Sequence, residues 1–352
     1  MKTHFFSLFF IFILILAGCA PTAATQPAPS ASLTVMTHDS FAVSEDVIAE
    51  FEKEHNVSVK FIKSGDTGDA LNRAILSKEA PLADVFYGVD NTFLSRALEA
   101  DIFEQYDSPQ LENIPSEFQL DAKNRALPVD YGDVCLNYDR AYFAEKGLTV
   151  PQSLEDLTKA EYKGLLVVEN PAVSSPGLAF LLATIAHFGE DNYLDYWAQL
   201  RQNGVVVVND WQTAYYTNFS GSSGKGAQPL VVSYNSSPAA EVYFASEKLD
   251  ESPTGSITAS GTCFRQIEFV GILKGTSQRS LAEKFIDYML DVRFQEDIPL
   301  QMFVYPVNKN ARLPEVFIKH SPPAENPSSL PADEIAAKRD SWIDAWDKTV
   351  LK

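Results

Sequence analysis

The sequence has few basic residues, few cysteines and none of the common catalytic signatures. Its 352 residues include 28 lysines and arginines against 47 aspartates and glutamates, which gives a formal net charge of −19. No basic patch is visible, so we expect no nucleic-acid partner. The chain has no Walker-type loop, H-E-x-x-H motif, zinc-spaced Cys/His set or G-x-S-x-G motif, which argues against the enzyme classes that depend on them. The acidic composition mildly favours a cationic ligand.

The amino terminus has the pattern of an export signal. An apolar run at 5–16 follows a basic start and leads into the letters L-A-G-C, which end at Cys19. The run is shorter than the roughly 20 residues that a membrane-spanning helix needs, and small residues precede the cleavage point. L-A-G-C resembles the bacterial lipobox, which implies cleavage before Cys19 and its acylation. We therefore predict a lipoprotein signal peptide at 1–19, a flexible Pro/Ala/Thr-rich tether at 20–31, and a lipid-anchored extracytoplasmic protein.

Two cysteines remain in the body of the chain, Cys135 and Cys263, and each lies in a strand-like run. An exported protein can oxidise such a pair, so a Cys135–Cys263 disulfide and two buried free thiols are both open alternatives. The body has about 320 residues, which is enough for two lobes with separate hydrophobic cores.

Strands and helices alternate in the first hundred residues of the body. Apolar runs predict strands at 32–37, 57–62 and 83–87, and amphipathic segments between them predict helices at 44–55 and 70–77. Either Asp69 or Thr67 is expected to cap the second helix. This alternation indicates an α/β fold with a parallel sheet.

Polar side chains follow each of these strands. His38 and Asp39 follow the first, Asp66 the second and Asp90 the third. A single aspartate at such a place is more often a turn or cap residue. Several at successive strand ends favour a ligand site, because open α/β sheets bind ligands beyond the carboxyl ends of their strands.

The second half of the body shows the same arrangement. A strand at 164–168 precedes Ser174 and Ser175, and Ser175 is predicted to cap a helix whose free N–H groups and hydroxyls either hold an anion or only cap the helix. The segment 230–241 is central. Its apolar start predicts a strand that delivers Tyr234 to a strand end, and Ser237 is predicted to cap the next helix.

Aromatic residues lie close to the same edge. Trp211, Tyr215 and Tyr216 have the spacing of one helix face, and such stripes usually belong to a core. Trp211, however, lies at a helix start beyond a strand end, where it can face a cleft. Long strand-like runs at 127–138 and 257–273 are interpreted as crossings between two lobes. The predicted division is 32–130 plus 265–308 for lobe one, 131–264 for lobe two, and 309–352 for a C-terminal loop and helix packed on the lobes.

The order and spacing of several stretches resemble the thiamine-binding branch of the periplasmic substrate-binding proteins of ABC importers. The resemblance runs from about residue 33 to the C-terminus. It is carried by Leu33-Thr34-Val35, Asp39-Ser40-Phe41, Leu71-Asn72-Arg73, Ala83-Asp84-Val85, Gly88-Val89-Asp90-Asn91, Ser174-Ser175-Pro176-Gly177-Leu178, Trp211 with Ala214-Tyr215, Ser233-Tyr234, Ser237-Pro238-Ala239 and Tyr305-Pro306-Val307.

The resemblance implies a two-lobed periplasmic-binding-protein fold with two hinge-crossing strands and a ligand clamped between the lobes. It implies a monomer that is not an enzyme, needs no cofactor or metal, and delivers its ligand to ABC permease subunits. By position, Asp66 would accept hydrogen bonds from the aminopyrimidine of thiamine. Trp211 and Tyr234 would line or stack on the rings, and Ser174 and Ser175 would meet the hydroxyethyl or phosphate end. A flat cation suits aromatic faces and a carboxylate.

The chain also departs from the family pattern. His38 replaces an aromatic residue, Phe303 replaces a tryptophan, Ala240 replaces a tyrosine, and the tryptophan expected near Ser44 is absent. Tyr243, one helical turn beyond Ala240, can reach the same place. A related pyrimidine is therefore an alternative to thiamine. The complete predicted set of ligand-binding residues is His38, Asp39, Asp66, Asp90, Ser174, Ser175, Trp211, Tyr215, Tyr234, Tyr243 and Phe303.

Two other functions are compatible with parts of this pattern. A ferric-ion-binding protein of the same architecture would use adjacent tyrosines and a first-loop histidine, as in Tyr215-Tyr216 and His38, although the family's own tyrosine pair is broken at Tyr234-Asn235. A thiamine-degrading enzyme would need an activated nucleophile such as Cys135 or Cys263. Both cysteines are predicted to lie in strands, away from any helix N-terminus.

Overall fold

A computed structural model of the protein describes residues 31–223, 225–321 and 323–352. The predicted signal peptide, Cys19 and nearly all of the predicted tether lie outside the described residues. Ala31, which the sequence assigned to the tether, is already the first residue of a strand. No helix in the described part of the chain is long and apolar enough to cross a membrane.

The described residues form eleven strands that join in one sheet. The strands are β1 Ala31–Thr37, β2 Val57–Lys63, β3 Val85–Asp90, β4 Phe103–Glu104, β5 Leu127–Asp139, β6 Leu166–Glu169, β7 Val206–Val208, β8 Leu230–Tyr234, β9 Thr254–Ile257, β10 Phe264–Leu273 and β11 Tyr305–Pro306. The main path through the sheet is β2-β1-β3-β10-β5-β8-β6-β7.

Helices connect and cover these strands. They are α1 Glu45–His55, α2 Thr67–Leu76, α3 Leu94–Glu99, α4 Arg140–Lys146, α5 Ser175–Phe188, α6 Tyr193–Gln202, α7 Ser220–Ser223, α8 Ser237–Tyr243, α9 Arg279–Leu290, α10 Val292–Gln295, α11 Ile298–Gln301, α12 Glu315–His320 and α13 Ala332–Val350. Short 3₁₀ helices occupy Pro109–Asn113, Ser116–Phe118, Glu155–Thr158 and Ala160–Tyr162, and a π-helical segment occupies Thr213–Asn218.

The sheet explains how one chain makes two lobes. β1 pairs in parallel with β2 and β3, while β6 pairs in parallel with β7 and β8. Between these two groups run β5 and β10, which are antiparallel to each other and to their outer neighbours. Helices cover the strands of both groups, and the buried apolar side chains of the two groups belong to one core cluster that continues through the crossing strands. The predicted two-lobed α/β fold with two crossing strands is confirmed, while the exact lobe boundaries stay a prediction.

Three helix starts differ from the predictions by one to three residues. α2 begins at Thr67, and its cap is Asp66, whose Oδ1 accepts a hydrogen bond of 2.8 Å from the Thr67 amide. α5 begins at Ser175 and α8 at Ser237, so in both cases the preceding serine holds the cap position. In α8 the Ser237 hydroxyl lies 2.9 Å from that of Ser233.

A disulfide joins Cys135 on β5 to Cys263, which immediately precedes β10. The structure thus decides between the two alternatives left open by the sequence and ties the crossing strands together. A disulfide-bonded cysteine has no thiolate, so the alternative of a cysteine-dependent thiamine-degrading enzyme loses its nucleophile.

The C-terminal helix α13 packs against helices from both halves of the chain. Trp346 is fully buried and meets the Trp197 ring of α6 edge-on at 5.5 Å between centroids. The Arg339 guanidinium lies over the ring of Phe93, next to α3, at 5.8 Å. Burying large rings at helical spacing stabilises this packing.

Candidate functional site

A cleft of about 920 Å³ receives side chains from both parallel groups of strands and from a crossing strand. His38 and Asp66 follow β1 and β2, whereas Trp211 follows β7 and Tyr234 ends β8. Glu268 enters the lining from β10. Residues far apart in sequence meet here because the strand ends of both lobes point towards the same space.

Seven of the eleven predicted ligand residues line this cleft, and four do not. The lining includes His38, Asp66, Ser175, Trp211, Tyr215, Tyr234 and Phe303. The four predicted residues outside the lining are Asp39, Asp90, Ser174 and Tyr243.

Two of the four outlying residues serve turns. Asp39 Oδ1 accepts a hydrogen bond of 2.9 Å from the Gly65 amide. Asp90 Oδ1 accepts bonds from both the amide and the hydroxyl of Thr92, at 2.7 and 2.6 Å. Burial raises the pKa of Asp90 to about 6. Both carboxylates therefore have the turn-forming role that single aspartates usually have after strands.

The other two lie next to the cleft. Ser174 is fully buried at the start of α5, and its hydroxyl has no hydrogen-bond partner among the described residues. Tyr243 is 46% exposed, and its ring packs 5.8 Å from that of Phe303. Phe244, the next residue along, lines the cleft in its place. Phe303 itself has φ of 54°, a strained backbone conformation of the kind that concentrates at functional sites.

Asp66 connects the two sides of the cleft. One of its oxygens caps α2, while Oδ2 is buried without a hydrogen-bond partner in the described structure. Burial raises the pKa of this carboxyl, and the Thr67 amide, His38, the Ser174 hydroxyl and the Trp211 amide oppose the rise. Ser174 and Trp211 belong to the opposite side of the cleft. Asp66 thus has one acceptor oxygen, Oδ2, that no group of the described residues satisfies.

An aromatic wall, defined as Trp211, Tyr215 and Tyr216, forms one side of the cleft. The Trp211 and Tyr215 rings are stacked 5.0 Å apart at 16°, and Tyr216 meets Trp211 edge-on. The Trp211 Nε1 donates to Ser233 Oγ at 2.9 Å, and the Tyr215 hydroxyl donates to Glu241 at 2.8 Å. These hydrogen bonds fix the rings and leave an aromatic surface towards the cleft.

Tyr234 extends this aromatic surface towards the crossing strands. Its hydroxyl donates to Gln266 Oε1 on β10 at 3.1 Å. Its ring lies against Gly132 of β5, where a Cβ would be only 2.7 Å from the ring. A glycine at this point is therefore required for the ring to lie flat across the strand.

An acidic floor, defined as His38, Tyr87, Asp130 and Glu268, lies at the crossing strands. The Tyr87 hydroxyl donates to Asp130 at 2.6 Å and lies 3.1 Å from Glu268, while His38 Nε2 is 3.3 Å from Glu268. Burial raises the pKa of Glu268 to about 8 and that of Asp130 well above its usual range, and it lowers the pKa of His38. The floor thus favours a protonated Glu268 and a neutral His38 at neutral pH.

The lining contains several acidic side chains, of which Glu268 is held protonated at neutral pH. Four carboxyl groups line the cleft, from Asp66, Glu241, Glu247 and Glu268, whereas no lysine or arginine from the described part of the chain does. The sequence interpretation missed Glu241, Gln266 and Glu268. For Gln266 and Glu268 a signal existed, because they are two polar residues at alternate positions on one face of an apolar strand.

The arrangement differs from a metal site. In the described ranges no group of three or more His, Cys, Asp or Glu side chains is placed to hold a metal ion. Tyr215 donates its hydroxyl to Glu241, and burial raises its pKa well above the ordinary value. A tyrosine in that state is a poor tyrosinate ligand, which argues against the ferric alternative.

Comparison with known proteins agrees with the fold and the cleft. Residues 80–333 match the bacterial extracellular solute-binding protein family. The thiamine-binding periplasmic protein of Escherichia coli (strain K12) is 31% identical over 346 residues, covering 96% of this chain and all of the relative. A solved structure of a periplasmic thiamin binding protein has 29% identity and a TM-score of 0.79, covering 91% of this chain and 96% of that one.

Other solved structures share only the fold. A ferric binding protein from Campylobacter jejuni has a TM-score of 0.71 at 17% identity, covering 90% of this chain and 99% of that one. At this level of identity the likeness concerns the architecture alone. The family match covers residues 80–333, which is well over half of the chain. The chain therefore belongs to the family of bacterial extracellular solute-binding proteins.

Proposed function

We propose that the protein is the binding component of an ABC importer and that it takes thiamine, a thiamine phosphate or a related pyrimidine into the cleft. The observation that carries this proposal is that Asp66, Trp211 and Tyr234 line one cleft, whose lining contains several acidic side chains. Aromatic faces beside a carboxylate suit a flat cationic heterocycle. The name of the Escherichia coli relative supports the same ligand class.

The proposed placement uses the groups that lack partners in the described structure. Asp66 Oδ2 accepts a hydrogen bond from the amino group of the pyrimidine. Trp211 and Tyr234 lie against the rings, and Ser175, whose buried hydroxyl has no partner, meets the hydroxyethyl end next to Ser174. Asp66 Oδ2 and the Ser175 hydroxyl thereby gain the hydrogen bonds that their burial requires.

The proposed transport cycle depends on the two lobes. The ligand enters the open cleft, the lobes close by bending at β5 and β10, and the closed form docks on the permease. A lipid on Cys19 would hold the protein at the membrane, and the tether at 20–31 would let it reach the permease. In this proposal the protein acts as a monomer.

Calorimetry with the purified protein tests the ligand. Thiamine, its phosphates and its free pyrimidine are titrated in parallel. Asp66→Asn is expected to weaken thiamine binding at least about tenfold, because a hydrogen bond to a charged acceptor is worth roughly 1.5–3 kcal/mol. Asp69→Asn is the matched control, since Asp69 lies on the same helix but is exposed to solvent. No heat with any of these ligands, or equal thiamine affinity in Asp66→Asn, would contradict the proposal.

A further inference from the structure

We propose that the buried carboxyl pair Asp130–Glu268 is a proton-binding site, and that a cation entering the cleft displaces the proton held there. The proposal rests on the proposed function, because it needs a cationic ligand such as thiamine in the cleft. It gives the protein a second ligand of its own, the proton. Binding of thiamine and release of a proton to water are then two halves of one exchange.

Three carboxyl groups lie side by side across the middle of the sheet. Glu268 on β10 is paired directly with Asp90 on β3 and with Asp130 on β5. Both pairings are antiparallel, and residues directly opposite each other in antiparallel strands project from the same face of the sheet. All three side chains are buried. Ionising every member of such a row is costly, so the row keeps a proton unless a cation lies beside it.

Two irregularities of the sheet bring the polar groups of this row together. The register between β10 and β3 skips Gly88, and the register between β10 and β5 skips Val129. An extra residue in one strand of a pair re-aims the side chains next to it. Tyr87, which precedes the extra residue on β3, thereby projects from the same face as Glu268 and contacts it. Bulges of this kind are common next to functional sites.

The hydrogen bonds of the pair require a bound proton. The Tyr87 hydroxyl has a single proton, and it donates to Asp130 Oδ2 at 2.6 Å while its oxygen is also 3.1 Å from Glu268 Oε2. One hydroxyl proton cannot satisfy two carboxylates, whereas a protonated Glu268 supplies the second hydrogen bond itself. The carboxyl groups of Asp130 and Glu268 also hydrogen-bond to each other, which requires a proton on one of them.

The groups that face the pair supply no positive charge to replace the proton. From the elements packed around it they are His38, Asp66, Tyr87, Asp90 and Tyr234. Among these His38 is the base, with Nε2 at 3.3 Å from Glu268 Oε1, and burial lowers its pKa and so keeps the imidazole neutral. Burial also raises the pKa of Glu268 to about 8, in agreement with the hydrogen bonds.

Glu268 connects the pair to the ligand. It lines the cleft, whereas Asp130 is fully buried behind it and does not belong to the lining. A cation in the cleft stabilises ionised Glu268, because opposite charges attract strongly in a poorly hydrated interior. The pKa of Glu268 then falls, its O–H bond breaks, and the proton passes to water. Thiamine should therefore bind more tightly at higher pH, where less proton has to be displaced.

The test is calorimetry of the full protein with thiamine at pH 7.5 in HEPES and in Tris, two buffers whose ionisation enthalpies differ. A carboxyl with a pKa of about 8 is roughly three-quarters protonated at this pH, so we expect release of about half a proton per thiamine. Affinity should rise at least about threefold between pH 6.5 and 8.5. Thiamine binding without proton release would overturn the inference and leave the proposed function intact. Absence of thiamine binding would instead refute the proposed function.

A variant assigns the proton to the pair. Glu268→Gln keeps the size of the side chain but has no proton to release, so proton release should fall by at least about half and the pH dependence of affinity to less than about twofold. Glu79→Gln, which changes an exposed residue outside the lining, should release as much as the wild type. Equal release in Glu268→Gln and the wild type would overturn the assignment. The wild-type measurement decides the inference even where the variant does not fold.

Discussion

The aromatic wall and the acidic floor are built in opposite ways. The wall comes from one short stretch, since Trp211, Tyr215 and Tyr216 lie within six residues and hold each other by ring contacts. The floor comes from His38, Tyr87, Asp130 and Glu268, which lie on four separate segments and meet only through the sheet. The wall presents ring faces to a ligand, whereas the floor is buried and protonated. The spacing of residues along the sequence can predict the first kind of surface but not the second.

The largest effect is expected from removing the wall. Trp211→Ala deletes the ring that faces the cleft and leaves Tyr215 without its stacked neighbour. We expect thiamine affinity to fall about 30- to 100-fold, which is roughly 2–2.7 kcal/mol and in the range for a desolvated cation on an aromatic face. Calorimetry measures the change.

The control for the wall is Tyr216→Ala. Tyr216 is 55% exposed and meets Trp211 only edge-on, so its loss should cost less than fivefold. Equal losses in the two variants would mean that the wall acts through its fold and not through contact with the ligand.

A smaller loss of thiamine affinity is expected from a substitution that keeps the two sides of the cleft from approaching each other. The Gly68 amide on α2 donates to the Val173 carbonyl oxygen at 3.0 Å, which ties the helix that Asp66 caps to the segment just before α5. A Cβ on Gly68 would lie 2.7 Å from that oxygen and 2.9 Å from the Val173 Cα. Both are backbone atoms that cannot rotate away. Gly68→Ala is therefore expected to weaken thiamine binding about tenfold, or about 1.4 kcal/mol.

Val173→Ala provides the comparison for Gly68→Ala, because the three atoms nearest to a Cβ on Gly68 are all backbone atoms of Val173. This second variant should bind nearly as well as the wild type. Small-angle scattering adds an independent readout, since Gly68→Ala should compact less than the wild type at saturating thiamine. Full affinity and full compaction in Gly68→Ala would show that the close approach is dispensable.

We expect the acidic floor to affect mainly the pH dependence of the protein's stability. The pKa of Glu268 is about 8 in the folded protein against an ordinary value of 4.5. Between these values the unfolded chain has released a proton that the folded protein keeps, so the contribution of this group to stability falls as the pH rises. Glu268→Gln removes the titrating group. Urea unfolding at pH 5.5 and 8 should show a loss of stability that is smaller in the variant by about 1 kcal/mol or more.

Asp130 remains in that variant, and its raised pKa acts in the same direction, so the slope should decrease without vanishing. Glu247→Gln is a suitable control, because Glu247 is exposed and its loss should leave the pH dependence unchanged. An identical pH slope in the wild type and in Glu268→Gln would contradict the description of the floor as protonated.

The sequence predicted those features that depend on residues close together in the chain. Strand ends beside Asp66, Trp211 and Tyr234 could be located because apolar runs end there, and the family match confirms that the chain is a solute-binding protein and not an enzyme. Asp39 and Asp90 were selected by the same rule, yet the structure uses them in turns. The rule finds a strand end but cannot tell which way its side chain points.

The rest depended on contacts between distant segments. Asp130 and Glu268 are ordinary residues of apolar strands until β5 and β10 lie side by side. The tight fit of Tyr234 on Gly132 is likewise visible only when β8 and β5 are paired. The lipid anchor and the lobe boundaries stay predictions.

A crystal structure of the protein with thiamine tests the central claim most directly. We expect the ligand in the cleft with its rings against Trp211 and Tyr234, its amino group within hydrogen-bond distance of Asp66, and its hydroxyl group at Ser175. Thiamine bound anywhere else on the protein, or bound in the cleft with its amino group turned away from Asp66, would contradict the account.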